Sequence, residues 1–188
     1  MSEQRPNGRH RRETALGNRK RVKMERVEIL KENIHTGGMA YEKTYVMLKP
    51  GVLQRRLTGI ILQRLEEKGL TLAALKLMVI PREIAERHYA EHSQRPFFPD
   101  LISYTTSGPV VAMVVCGENA IARVRALAGP TRIEEAPPGT IRGDFAAVTR
   151  KNVIHTSDCS ESARREIELF FSPGEILEYE DPNADWTY

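Results

Sequence analysis

Cysteine is scarce. Only Cys116 and Cys159 occur in 188 residues, which excludes a disulfide framework and a thiolate metal cage. That scarcity fits a reducing compartment, and a cytoplasmic protein is the expectation. No apolar run approaches the roughly 18 residues that a membrane helix needs. No apolar stretch follows the N-terminal charges as a secretory signal requires. The sequence has no G-x-x-x-x-G-K-[ST] phosphate loop, no G-x-G-x-x-G turn and no H-E-x-x-H pair. Three common routes to nucleotide or zinc chemistry are therefore absent.

What is present is a balanced composition, 40% hydrophobic and 28% charged, that suits one globular domain with a full core. The net charge of +3 hides an asymmetry. Residues 1–40 hold ten Lys/Arg and five Glu, whereas the remainder holds eighteen Lys/Arg and twenty Asp/Glu. Residues 1–40 therefore read as a basic, disordered extension, with Met24 or Met39 as an alternative first residue. A short helix from about Arg21 to Asn33 is conceivable within it. A basic arm for nucleic acid is a weaker reading, because no aromatic residues interleave the charges. A transit peptide is weakened by the five glutamates. Residues 41–188 form the expected folded domain.

Alternation and helical periodicity set out that domain in order. Thr44–Lys49 reads as a strand entering a Pro50-Gly51 turn. Leu53, Leu57, Ile61 and Leu65 recur every four residues and predict a helix stopped by Gly69. Residues 70–80 are apolar on both parities and predict a central strand. Pro81 opens a helix whose buried side carries Ile84, Ala85 and His88, and Phe97 to Tyr104 form an apolar cluster. Val110–Val115 is the clearest strand, ended by Gly117. Ile121, Val124, Leu127 and Ala128 line a helix ended by Gly129. Residues 130–143 read as a long loop of the functional kind. A last strand, Val153-Ile154-His155, leads into a helix capped by Asp158 with Glu161 as its capping-box partner. The order is that of two βαβ-like halves. It predicts an α/β (α+β) fold, a ferredoxin-like split βαβ with a four-stranded antiparallel sheet and helices on one face.

The chemistry concentrates at turns and helix ends. His155 could serve as base, ligand, nucleophile or structural residue. His88 and His92 are four apart on a helix, but no third metal ligand is in view, so they read as partly exposed helix residues. Lys49, Arg125, Thr131, Arg142 and Asn152 together suit a polyphosphate. Phosphoryl transfer asks for positioning and charge neutralisation, which Lys and Arg supply. Glu166 could fix the imidazole tautomer. Aromatics beside such a cleft can stack on a base.

Lys49-Pro50, Tyr89, Arg95-Pro-Phe-Phe98, Thr106-Ser-Gly-Pro109, Pro138-Gly-Thr-Ile-Arg-Gly-Asp144 and Asn152-Val-Ile-His-Thr-Ser-Asp158 resemble the nucleoside diphosphate kinase family in order and spacing. The resemblance implies transfer of the γ-phosphate of a nucleoside triphosphate, chiefly ATP, to nucleoside diphosphates. The implied route is ping-pong, through a phosphohistidine at His155. It implies that Lys49, Tyr89, Arg95, Arg125, Thr131, Arg142 and Asn152 hold phosphates, ribose hydroxyls or the surroundings of the histidine. Phe97 and Leu101 match its base-packing site, and Ser157 and Glu166 its histidine supports. Asp158 matches a position near Mg2+, which the family holds through nucleotide phosphates. A homo-oligomer, hexamer or tetramer, is implied, with no membrane partner. The chain departs from the family at Gly51-Val52, where Asp-Gly is usual, at Arg132 for Asn, at Arg150 for Gly and at Thr156 for Gly or Ala. If the backbone at Arg150 requires positive φ, strain falls there. None of these changes removes a residue with a direct catalytic role, which predicts an active enzyme. The competing reading is a weakened member that binds nucleotides or nucleic acid.

Overall fold

A computed structural model of the chain describes residues 41–179 and residue 186. The basic extension, its conceivable helix and Tyr188 lie outside the described residues. Four strands form one antiparallel sheet: β1 (Tyr41–Leu48), β2 (Thr71–Val79), β3 (Pro109–Glu118) and β4 (Ile154–Thr156), in the order β2-β3-β1-β4. Among the described residues these α-helices accompany it: α1 (Thr58–Glu66), α2 (Arg82–His88), α3 (Phe98–Thr105), α4 (Ala120–Ala128), α5 (Ile141–Phe145) and α6 (Ser160–Phe170). This is the expected ferredoxin-like α/β architecture. No helix among the described residues is long and apolar enough to cross a membrane.

The helices cover both faces of the sheet, not one. Strand side chains alternate between faces, and both sets from β1 and β3 are apolar. Val46, Leu48, Val111, Met113 and Val115 pack with Ile61 and Leu65 of α1, Val124 of α4 and Ile141 of α5. Tyr45, Met47, Val110, Ala112 and Val114 pack with Ala85 of α2, Ile102 of α3 and Phe170 of α6. Tyr45 to Leu48 are each fully buried, worth about 1.5–3 kcal/mol apiece for the larger apolar side chains. That burial holds β1 as a central strand, with β4 on its outer side.

The expected central strand over residues 70–80 is instead the edge strand β2. Its alternate residues Leu75, Leu77 and Val79 are exposed. A two-sided apolar pattern signals cover on both faces, but no described residue covers this one. The helix predicted from Leu53 begins only at Thr58. Residues 51–56 form turns, and Arg56 at φ 56° interrupts the helical backbone. Leu53 and Leu57 still pack against the core. Strand β3 runs through Gly117 to Glu118. The cap of α6 is Cys159, with Ser162 as its capping-box partner, one residue beyond the expected Asp158 and Glu161.

Candidate functional site

Strand β4 is only three residues long and pairs with β1 through Met47↔His155. Alternation therefore sends His155 to the face of Tyr45 and α6, and Ile154 and Thr156 to the face of α4 and α5. The entry to β4 is strained. Val153 sits at φ 58°, and the Ile154 N–H closes back on the Asn152 carbonyl at 2.7 Å. The positive φ thus falls on Val153, and Arg150 has none. Glycine at the expected position is unnecessary because the backbone reverses three residues later.

His155 is oriented from α6. Its Nε2 lies 3.0 Å from Glu166 Oε1, and Ser157 Oγ donates to Glu166 Oε2 at 2.6 Å. Ser157 in turn accepts from the Tyr45 N–H at 3.3 Å. A carboxylate only accepts, so Nε2 carries the proton and Nδ1 keeps its lone pair. Burial, then Lys49 and Arg142, hold the His155 pKa well below the ordinary value. Burial raises that of Glu166, and the Ser157 hydrogen bond opposes the rise. The imidazole is neutral at neutral pH.

Lys49 follows β1 and is buried. Its Nζ donates to Asn152 Oδ1 at 2.8 Å, and Asn152 Nδ2 donates to the Thr131 carbonyl at 3.3 Å. Burial and the neighbouring Arg142 push the Lys49 pKa down to about 7. The altered turn after Lys49 is accommodated: Gly51 takes φ 96°, and Val52 is buried in the core.

Arg142 is not in a loop but on the short helix α5, and it is buried. The Pro138–Asp144 segment fixes itself. Thr140 Oγ1 caps α5 by accepting from the Gly143 N–H, and Asp144 accepts from the Gly139 N–H and from Arg64. A Cβ at Gly143 would come within 2.1 Å of the Pro137 carbonyl oxygen, so only glycine permits this close approach. Arg142 then donates to the carbonyls of Gly129 and Ile154. Burial and Arg125 bring its pKa down to about 10. Arg125, Thr131, Arg142 and Thr156 share a cavity of about 440 Å³. Among the described residues, Arg142 has no carboxylate partner. Two guanidinium groups on one cavity, with Lys49 close to Arg142, make a site suited to a multiply charged anion.

The remaining expected residues extend outward from His155. Tyr89 meets it at 6.0 Å between ring centroids, Tyr89 stacks on His92 at 6.3 Å, and His92 meets Phe97 at 5.7 Å. Phe97 is 49% exposed, a free face at the end of that series. Leu101 on α3 is half-buried against the core. Arg95 is exposed on the segment before α3 and is not drawn into the His155 cluster. Asp158, also exposed, is held ionised by Ser162, whose hydroxyl donates to it at 2.5 Å.

His88 lies on the buried side of α2, as the helix pattern with Ile84 and Ala85 predicts, although its spacing with His92 suggests partial exposure. It is not partly exposed but buried, edge-on to His155 at 4.4 Å between ring centroids. Its Nδ1 is 3.9 Å from Glu166 Oε1, and neither ring nitrogen has a hydrogen-bond partner among the described residues. Burial holds its pKa well below the ordinary value. The candidate metal pair with His92 is replaced by a cluster of His88, His155 and Glu166.

Residues 42–176 match the family model described as nucleoside diphosphate kinase. A nucleoside diphosphate kinase of Treponema pallidum is 57% identical over 148 residues, covering 79% of this chain and 99% of that protein. One from Archaeoglobus fulgidus is 56% identical over 147 residues, covering 78% and 97%. Among solved structures, a halophilic nucleoside diphosphate kinase from Halobacterium salinarum in complex with CDP is 46% identical, with a TM-score of 0.77, covering 79% of this chain and 99% of that one. The enzyme from Encephalitozoon cuniculi is 43% identical, with a TM-score of 0.76, covering 78% and 99%.

Proposed function

This chain belongs to the nucleoside diphosphate kinase family and is a nucleotide phosphotransferase; we propose that it works by ping-pong transfer through His155. The observation that carries the reading is the imidazole itself. It is neutral, held by Glu166 through Nε2, and flanked by Lys49, Arg125 and Arg142. In the first half-reaction Nδ1 attacks the γ-phosphorus of a nucleoside triphosphate, chiefly ATP. The bond from that phosphorus to the bridging oxygen breaks, and the diphosphate leaves with the electron pair. The Nε2–H bond to Glu166 steadies the positive charge that develops on the ring. In the second half-reaction a terminal oxygen of an acceptor diphosphate attacks the phosphorus. The N–P bond breaks and Nδ1 recovers its lone pair.

The other residues position the nucleotide. Arg125, Arg142 and Thr131 line the cavity suited to phosphates, and Arg95 can reach in from its exposed segment. Lys49 and Asn152 offer an ammonium and an amide for ribose hydroxyls or phosphate. Tyr89 walls the histidine, and Phe97 with Leu101 gives a base an apolar face. Every base has such a face and no hydrogen-bond code is read there, which suits broad acceptor use. The CDP complex of the Halobacterium salinarum relative accords with a nucleotide site of this kind. Mg2+ fits this donor set as an ion carried by the phosphates, because no carboxylate among the described residues lines the cavity, and Asp158, ionised and within electrostatic range of Arg125, would be the carboxylate to meet it through water. When bound it neutralises charge on the phosphate oxygens. The exposed apolar side chains Leu75, Leu77 and Val79 on one face of β2 support a homo-oligomer, a hexamer or tetramer. Two free cysteines suit a reducing, cytoplasmic setting. We read residues 1–40 as a basic extension to this domain.

Incubation with γ-labelled ATP and Mg2+ is expected to give an acid-labile, base-stable phosphoprotein that passes its label to a diphosphate. His155→Ala should abolish both steps, and a His155→Ala protein that still labels and turns over overturns the mechanism.

A further inference from the structure

Thr156 stands where a wall of the cavity meets the strand that carries the nucleophile. It is 8% exposed and lines the same space as Arg125, Thr131 and Arg142. Its hydroxyl has no hydrogen-bond partner among the described residues. Valine would fill the same shape, so packing alone does not call for the oxygen. A β-branched residue alone suits a strand, so strand propensity accounts for the branch and not for the oxygen. Thr156 borders a space lined by two guanidinium-bearing side chains, which suits an anion that accepts hydrogen bonds.

We propose that the Thr156 hydroxyl is a substrate contact, donating to a phosphate oxygen of the bound nucleotide that is not on the phosphoryl group being transferred. The second half of that statement follows from the strand. His155 and Thr156 are successive residues of β4, so their side chains project to opposite faces of the sheet. The phosphorus bonded to His155 lies on the His155 side, and Thr156 reaches the part of the polyphosphate that rests in the arginine-lined cavity. A contact of this kind is made equally in ground state and transition state, so it acts on binding and not on the chemical step. The inference rests on the phosphotransfer reading of this site.

The test uses the full chain and three variants, Thr156→Val, Thr156→Ser and Thr156→Ala. ADP binding is measured by calorimetry, thermal unfolding without nucleotide gives stability, and steady-state kinetics separates KM from kcat. Loss of a neutral hydroxyl donor to a charged phosphate is expected to weaken ADP binding about 10-fold in Thr156→Val, as for a charge-assisted hydrogen bond. KM for the diphosphate should rise by the same factor while kcat stays within about 3-fold. The free Thr156→Val protein should melt close to the wild-type temperature, because the hydroxyl makes no hydrogen bond in the free protein. A purely structural role would move stability and binding down together. Thr156→Ser should bind within about 2-fold of wild type, since the donor is kept. If Thr156→Val does not fold, Thr156→Ala against Thr156→Ser carries the same comparison. Equal ADP affinity across the folded variants, or tighter binding by Thr156→Ala, overturns the proposal. Failure of the wild-type chain to bind ADP and to label on His155 would instead overturn the phosphotransfer reading.

Discussion

Nucleotide binding should draw a proton from solution, and Lys49 is the group that takes it. Its ammonium is buried and faces Arg142, and the two effects push its pKa from 10.5 down to about 7. At pH 8 only about one Lys49 in ten is therefore charged in the free protein. A polyphosphate beside it reverses the balance, because an anion at contact favours the charged form. If the pKa returns to about 10, nearly every Lys49 is charged in the complex, and binding takes up about 0.9 proton. Other groups add little at this pH. Arg142 stays charged in both states, His155 stays neutral because its pKa is lowered, and phosphate groups with a pKa near about 6 are already ionised. The assay is calorimetric titration with ADP at pH 8 in buffers of different ionisation enthalpy, where the slope of observed heat against buffer enthalpy gives the proton count. Lys49→Met should bind more weakly with a slope near zero. Uptake below about 0.2 proton in the wild type, or the same uptake in Lys49→Met, refutes the assignment of this proton to Lys49.

Glu166→Gln keeps an oxygen that can accept from His155 Nε2, places a donating amide NH2 against Ser157 Oγ and removes the charge. It should lower kcat and the rate of His155 labelling about 10- to 100-fold, with ADP affinity within about 2-fold, since the charge acts when the ring becomes cationic. Rapid-quench labelling and titration separate the two. His88 and His155 are both kept neutral by burial, so below about pH 6.5 the unfolded chain binds protons that the folded one refuses. Stability should then fall as pH drops, by up to about 1.4 kcal/mol per pH unit for each histidine. Glu166, whose pKa is raised, works against this trend. His88→Phe removes one histidine and should flatten the slope measured by denaturant melts between pH 7 and 5.

The helices and strands were legible because side-chain period and burial agree in them. Ile61 and Leu65 recur at helical spacing and are fully buried, and the β3 run is apolar on both faces because helices cover both. Strand order was not legible. The run over residues 71–79 has the apolar content of a central strand, yet lateral position depends on pairings between distant segments, and here it forms an edge. The site divides the same way. Lys49, Asn152 and Arg142 stand at turns or helix ends that the punctuation by Pro, Gly and Asp marks out, His155 is on the short strand that follows, and Glu166 is on the inner side of the last helix. His88 has no such mark. An i, i+4 pair with His92 says that both lie on one side of a helix, but only the docking of α2 on the sheet decides which of them is driven against His155.

Val153 explains how a position without glycine can hold the turn that delivers His155. A β-branched residue at φ 58° bears strain of about 1–3 kcal/mol. Its side chain is 3% exposed and belongs to the core with Ile154 and Leu48, and burying a valine contributes about 1.5–3 kcal/mol. The two terms are of equal size and opposite sign, so the strained backbone is held in place by the packing of its own side chain. The Val153 carbonyl also accepts from the Lys49 N–H at 2.9 Å. The reversal therefore ties the end of β1 to the start of β4, with Lys49 and Asn152 bonded across it. Glycine would relax φ but would release the anchor in the core. No local residue preference in the sequence announces that arrangement, because the force that overrides the preference comes from β1, α4 and α5 packing around the valine.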